Sequence, residues 1–382
     1  YTEPNMLRSV SLLLLLLVFA SSTLPSPPCA LSEDAAENHQ ALSDAEYTKL
    51  IRAAGKHMQE KDYKAALTIL LQILQYRPED AGCWYNAACC AAILGDKKAA
   101  LKYLENAFES GWMDFDWAME DPDLESIRNT TQFRQLMAKR KKYVAAANEK
   151  RLEQVSKYYG QHYKGTMYPD DRIILVTDAE EKAYERLLEI IRKVNKNHSR
   201  LFRHEPEIYN ILLCPNSKEE YNKNYPPMNV LGVFMPATKT LFVDPDVGEG
   251  TLVHEYTHAL HFADMVALKQ YHPIWIIEVF ATLYENAYFL SSRVDPRLGF
   301  RLMYLNRILD TPAYIPLANM MKYQHQQFMR QAGACYAESR LVMYYLNERG
   351  LVKKFYDHYT ANFVRDEDRK STRLNSSHVS QS

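Results

Sequence analysis

Thr251-Leu252-Val253-His254-Glu255-Tyr256-Thr257-His258-Ala259-Leu260 reads as one helix. Its two histidines stand at i and i+4, one turn apart on the same face, where two ligands of a tetrahedral zinc must sit. Glu255 lies beside them, placed to accept a proton from a water on that zinc. The apolar residues on either side keep the pattern inside the helix, as the chemistry requires.

A zinc site with an open position takes three protein ligands, so one more is expected downstream. Pro273-Ile274-Trp275-Ile276-Ile277-Glu278 opens a new apolar helix that continues through Val279-Phe280-Ala281-Thr282-Leu283-Tyr284-Glu285. Glu278 follows His258 by 20 residues and is flanked by Ile277 and Val279. A carboxylate in such surroundings needs a partner, and a metal would be one. Glu285 falls two turns further along the same face, where it would either steady a ligand imidazole or serve as an ordinary surface or paired carboxylate. His261 and His272 are weaker candidates, each more often structural than in touch with substrate.

The stretch 251–286 resembles the gluzincin superfamily of metallopeptidases, and the region 170–360 resembles bacterial "peptidase MA-like" domains. The family's third-ligand motif is Trp-x-x-Glu-Gly-x-Ala; this chain has Trp275, Glu278 and Ala281, with Val279 in the glycine's place. The resemblance implies His254, His258 and Glu278 as zinc ligands and Glu255 as the general base of peptide-bond hydrolysis. It also implies a tyrosine that donates a hydrogen bond to the oxyanion. Tyr336, 58 residues after Glu278, takes that role, against the alternative of a packing tyrosine among the 27 in the chain. Val279 favours a second reading, a zincin-like binding module with weakened turnover. Hydrolysis of a non-peptide substrate has no positive signal.

Upstream, a different period governs. Lys64-Ala65-Ala66-Leu67 recurs as Lys98-Ala99-Ala100-Leu101, displaced by 34 positions. A 34-residue period of paired amphipathic helices resembles the tetratricopeptide family over about 47–114. Ala66 and Ala100 both fall at the twentieth place of their units, and Pro78 falls at the thirty-second of the first. Asp121–Ile127 and Thr131–Leu136 then look like a sealing helix. Such an array implies either a protein partner or a scaffold. The cluster Lys139-Arg140-Lys141-Lys142 starts a linker helix and reads as its solvated face.

Between the two motifs the period shortens. Ile173–Thr177, Tyr209–Cys214, Val233–Met235 and Thr240–Val243 read as strands, the last pair as a hairpin around Pro236-Ala237. A helix is expected from Asp178, as its N-cap, to Leu201. From Gly250 onward the chain reads as wholly helical. The hairpin either serves the sheet alone or offers an edge for an extended peptide.

Met6, Arg8 and the apolar run Val10–Ala20 fit a secretory signal: the run is too short to span a bilayer. Export to the periplasm or the exterior is therefore expected, with membrane anchoring if the leader is uncleaved. The polar tail Lys370–Ser382 resembles translated adapter sequence. With 46 basic against 47 acidic residues there is no field to attract nucleic acid. Only 12 glycines in 382 residues point to long helices with few tight turns. The six cysteines show no disulfide or zinc spacing, so buried free thiols are expected.

The expected fold is multidomain: an all-α tetratricopeptide-like array followed by an α+β zincin-like domain with a small mixed sheet and a helical half. Its bounds are a leader at 1–30, the array at 44–140, a linker helix at 141–164, the zincin-like domain at 165–365 and a tail at 366–382. The expected activity is that of an exported zinc metallopeptidase acting on peptides or proteins.

Overall fold

The computed structural model describes residues 42–224, 231–246, 248–290 and 294–363, and the pair 378–379. The expected leader, Cys29 and most of the tail lie outside them. The chain divides into two compact units, 1–151 and 152–382. The described residues are mostly helical, with one small mixed sheet and a separate two-stranded one.

The first unit is a succession of helices: α1 (Asp44–Gln59), α2 (Tyr63–Tyr76), α3 (Ala81–Ile93), α4 (Lys97–Ser110), α5 (Phe115–Glu120), α6 (Glu125–Arg128) and α7 (Thr131–Ala138). The 34-residue repetition acquires a physical content here. Asp62 and Asp96 cap α2 and α4 identically, accepting from the backbone N–H of Ala65 at 3.1 Å and Ala99 at 2.9 Å. Just before each cap the backbone turns left-handed, at Lys61 with φ 61° and Gly95 with φ 86°. The same two turn hydrogen bonds recur, Asp62 N–H to His57 O and Asp96 N–H to Ala91 O. Ala66 and Ala100 are fully buried, where only a methyl lets neighbouring helices close. Trp112 stacks on Tyr85 with centroids 4.0 Å apart and covers the end of the second pair.

Helix α8 (Arg140–Tyr159) crosses the division between the units. It stops five residues short of the expected end at 164, in Gly160 with φ 73°. The second unit then forms β1 (Lys164–Tyr168), β2 (Ile173–Thr177), α9 (Glu181–His198), β3 (Asn210–Leu213), α10 (Lys218–Asn224), β4 (Gly232–Met235) and β5 (Thr240–Val243). The sheet order is β1-β2-β3-β5-β4-β8, where β8 is His378–Val379. Strands β2, β3 and β5 are mutually parallel; β1 and β4 run against them. Buried on both faces, β2 reads as the continuous apolar run a parallel sheet requires. The expected cap at Asp178 is displaced to Glu180, because Asp178 Oδ1 instead accepts from Asn216 N–H at 2.6 Å.

Beyond the sheet come α11 (Glu249–Ala267), α12 (Ile274–Tyr284), β6 (Ala287–Phe289), β7 (Val294–Pro296), α13 (Phe300–Ile308), α14 (Leu317–Met320), α15 (His325–Arg330), α16 (Ala332–Glu348) and α17 (Val352–Ala361). The β6–β7 hairpin corrects the expectation of a wholly helical stretch. Its aromatic and β-branched residues suit a pleated pair better than a helix. The main core packs the inner face of the sheet against α9, α11 and α12, with α16 and α17 closing it. Asp264, fully buried near the end of α11, accepts from Arg203 N–H, His204 N–H and the Tyr356 hydroxyl, tying α11 to α17.

Two of the scarce glycines permit close approaches to α11. A Cβ at Gly250 would lie 2.0 Å from Glu285 O, so the first turn of α11 meets the end of α12 only with glycine there. A Cβ at Gly232 would meet Thr251 Cγ2 at 2.7 Å, so β4 can lie directly against α11. No helix of the described residues is long and apolar enough to cross a membrane. The five described cysteines are free and buried.

Candidate metal centre

Helix α11 is enclosed from Leu252 through His261, and α12 is buried along its whole length. Neither helix is amphipathic, because each runs through the core. Polar side chains on such helices lose their water and must find partners inside the protein. His254, His258 and Glu278 do so together. Their ligand atoms lie within 4.8 Å of one another, and the residues are only 2%, 3% and 2% exposed. His254 Nε2 stands 3.3 Å and His258 Nε2 3.4 Å from the same Glu278 Oε2. The two imidazoles turn edge to face, centroids 4.7 Å apart, so both Nε2 atoms converge on one point. These three residues form a set able to hold a metal.

The electrostatics describe a centre that asks for positive charge. Burial opposes the charge on Glu278, but His258 and His254 overcome it and hold the carboxyl well below the usual carboxylate range. Burial likewise opposes charging His254, yet hydrogen bonds to Glu278 and Glu285 push its pKa up to about 10. A dication among these donors would meet the same demand.

Glu255 has no exposed surface. Its Oε2 accepts from the Phe234 backbone N–H at 2.8 Å, a bond the close packing of β4 on α11 makes possible. Its Oε1 has no hydrogen-bond partner among the described residues. Burial raises its pKa, against the pull of His254 and His258.

Tyr336 on α16 is 1% exposed, with its ring 6.2 Å from that of His254 and nearly perpendicular to it. Its hydroxyl meets Met329 Sδ at 3.9 Å, a weak acceptor. Burial, with Glu278 and Glu255 nearby, holds the phenol well above its ordinary pKa, so it stays a donor. Glu285 also reaches the centre: its Oε2 lies 3.2 Å from His254 Nδ1, the nitrogen turned away from the ligand cluster.

His261 and His272 are not brought into the ligand set. They bond one another at 2.9 Å, Nε2 to Nδ1, and His261 stacks on Phe202 in the core. Burial depresses the pKa of His272 to about 4, as suits a neutral core imidazole. The β4 strand, whose hairpin offered a candidate edge, pairs antiparallel on its outer side with His378–Val379. Val279 is fully enclosed in the main core.

Two arginines that sequence reasoning missed complete the surroundings. Arg301 binds Glu285 through two nitrogens, and its guanidinium lies 4.6 Å from the centroid of the Tyr336 ring. Arg340, 2% exposed, donates to the carbonyls of Thr282, Leu283, Asn286 and Arg297 around the end of α12. Arg340 had one legible signal, its position four residues after Tyr336 on the same helical face. Arg301 had none.

No family model matches the chain, and no solved structure matches it. Over 96 residues it is 33% identical to a chloroplastic protein of Arabidopsis thaliana. That similarity covers 24% of this chain and 29% of the relative, so the chain spans less than a third of that protein's length.

Proposed function

We propose that this protein is a zinc metallopeptidase of the gluzincin type. The supporting observation is the pair of separations at Glu278 Oε2. Zinc bonds of about 2.0–2.1 Å in tetrahedral geometry put neighbouring ligand atoms about 3.3–3.4 Å apart. The two histidine nitrogens stand 3.3 and 3.4 Å from that oxygen. Two imidazoles and one carboxylate, with a further position left open, is also the donor set that suits catalytic zinc rather than a closed structural site.

When bound, zinc supplies Lewis-acid polarisation of the scissile carbonyl and activation of water. Glu255 then acts as general base: its Oε2 is occupied by the Phe234 N–H, which leaves Oε1 to take the proton and return it to the departing amine. Tyr336 gives up a weak bond to sulfur and donates to the developing oxyanion. Glu285 keeps the His254 imidazole oriented with Nε2 toward the cluster. Tyr336→Phe is expected to retain zinc and KM while kcat falls about 10²- to 10³-fold. Full turnover in that variant would leave Tyr336 as a packing residue.

The proposal extends to the rest of the chain. The equivalent caps, turns and alanines at 34-residue spacing support a tetratricopeptide-type array in the first unit, offered to a protein partner. The apolar run Val10–Ala20 behind Arg8 supports export. The deciding experiment is metal analysis of the purified protein followed by digestion of a peptide library, with and without a chelator. Zinc near one equivalent and chelator-sensitive cleavage are expected. Zinc without cleavage would favour the zincin-like binding module, and absence of zinc would overturn both readings.

A further inference from the structure

We infer that Arg301 is a positioning residue of the metal centre, acting on His254 through Glu285; this rests on the metal-binding reading above. The residue lies outside both ligand-bearing helices. It is delivered by α13, whose inward face buries Arg301, Leu305 and Ile308 while Phe300 and Met303 face solvent. Arg301 itself is 7% exposed. A guanidinium withdrawn that far from water must be engaged by groups that justify its burial.

Its engagement is specific. Nε donates to Glu285 Oε1 and Nη2 to Glu285 Oε2 at 2.8 Å, the two-pronged geometry that fixes the plane of a carboxylate. The oxygen receiving Nη2 is the one facing His254 Nδ1 at 3.2 Å. Arg301 therefore sets where that oxygen stands, and the oxygen sets how the imidazole is turned. The same guanidinium lies over the Tyr336 ring. One side chain thus fixes the orientation of a ligand and the seat of the proposed oxyanion donor. Lysine could supply the charge but neither the fork nor the plane.

Two effects of removing Arg301 oppose one another. An unpaired Glu285 would draw a cation more strongly, whereas a loosened imidazole would bind it less well. Partners that orient metal ligands are worth about 10- to 100-fold in affinity, and this loss is expected to prevail. The test measures zinc affinity of the full chain by competition with a chromophoric chelator, beside thermal unfolding of the metal-free protein. Arg301→Gln is expected to weaken zinc binding about 10- to 100-fold. Arg301→Lys should preserve the metal-free melting temperature and still bind zinc about tenfold more weakly than wild type. In a Glu285→Gln background, adding Arg301→Gln should cost no more than about twofold, because its route is already cut. Equal or tighter zinc binding by Arg301→Gln and Arg301→Lys, with wild type binding tightly, would overturn the assignment alone. So would equal losses with and without Glu285. If wild type takes up no zinc, the metal reading fails first and the assignment with it.

Discussion

Glu255→Gln is expected to keep zinc and to slow peptide hydrolysis by about 10²- to 10⁴-fold, the range over which a positioned general base contributes. Glutamine has the shape of glutamate. Its amide oxygen can accept the Phe234 N–H as Oε2 does, leaving the amide nitrogen where Oε1 now stands. That nitrogen has no basic lone pair, so the proton of the attacking water has nowhere to go. Glu255 is not among the three ligand residues, so metal content should be unchanged. The carboxylate is fully buried, so neutralising it should not weaken the fold. KM should barely move, because the loss falls on the transition state. Cleavage profiling with this variant as the control reads the effect directly. Equal rates would remove Glu255 from the mechanism and leave the metal site standing.

Arg340→Met should cost about 4 kcal/mol of stability, a large share of the roughly 5–15 kcal/mol that holds a domain together. The last turn of any helix leaves carbonyls without partners inside the helix. For α12 two of these, Thr282 O and Leu283 O, lie in the core and accept from Arg340, which also donates to Asn286 O just beyond the helix. A cation at a helix C-terminus also opposes the partial negative charge there. Burial depresses the arginine's pKa to about 10, still high enough to keep it charged at neutral pH. Methionine fills similar volume and donates nothing, and each buried orphan acceptor costs about 1–3 kcal/mol before water or a shift relieves it. Urea unfolding checks the figure; a loss under about 1 kcal/mol would mean that other donors serve those carbonyls.

The cluster of His254, His258 and Glu278 was legible because it is nearly local. His254 and His258 share one helical turn, and Glu278 returns on the next helix after a short connection. The two-helix period was legible because Asp62 and Asp96 repeat one cap, and Lys61 and Gly95 one turn. Local rules misplaced the start of α9, since Asp178 was claimed by Asn216 from a distant loop. The strand pair 287–289 and 294–296 was passed over inside an expected helical stretch, although Tyr288 and Val294 favour strands. Arg301 and Arg340 were passed over for a different reason. Arg340 bonds backbone carbonyls, which every residue has, and Arg301 bonds a glutamate 16 positions away with no periodic relation to it.

The capping of α12 by Arg340 bears on how fragments and relatives of this chain should be judged. A gene piece ending near residue 320 would still encode His254, Glu255, His258 and Glu278. Its product would carry all three residues of the cluster on helices of which one has lost the donor to its end carbonyls. Such a product is expected to keep the motif and hold the cluster less well. The motif residues His254, His258 and Glu278 are therefore not sufficient for the cluster, which also depends on a cap that Arg340 supplies from a later helix.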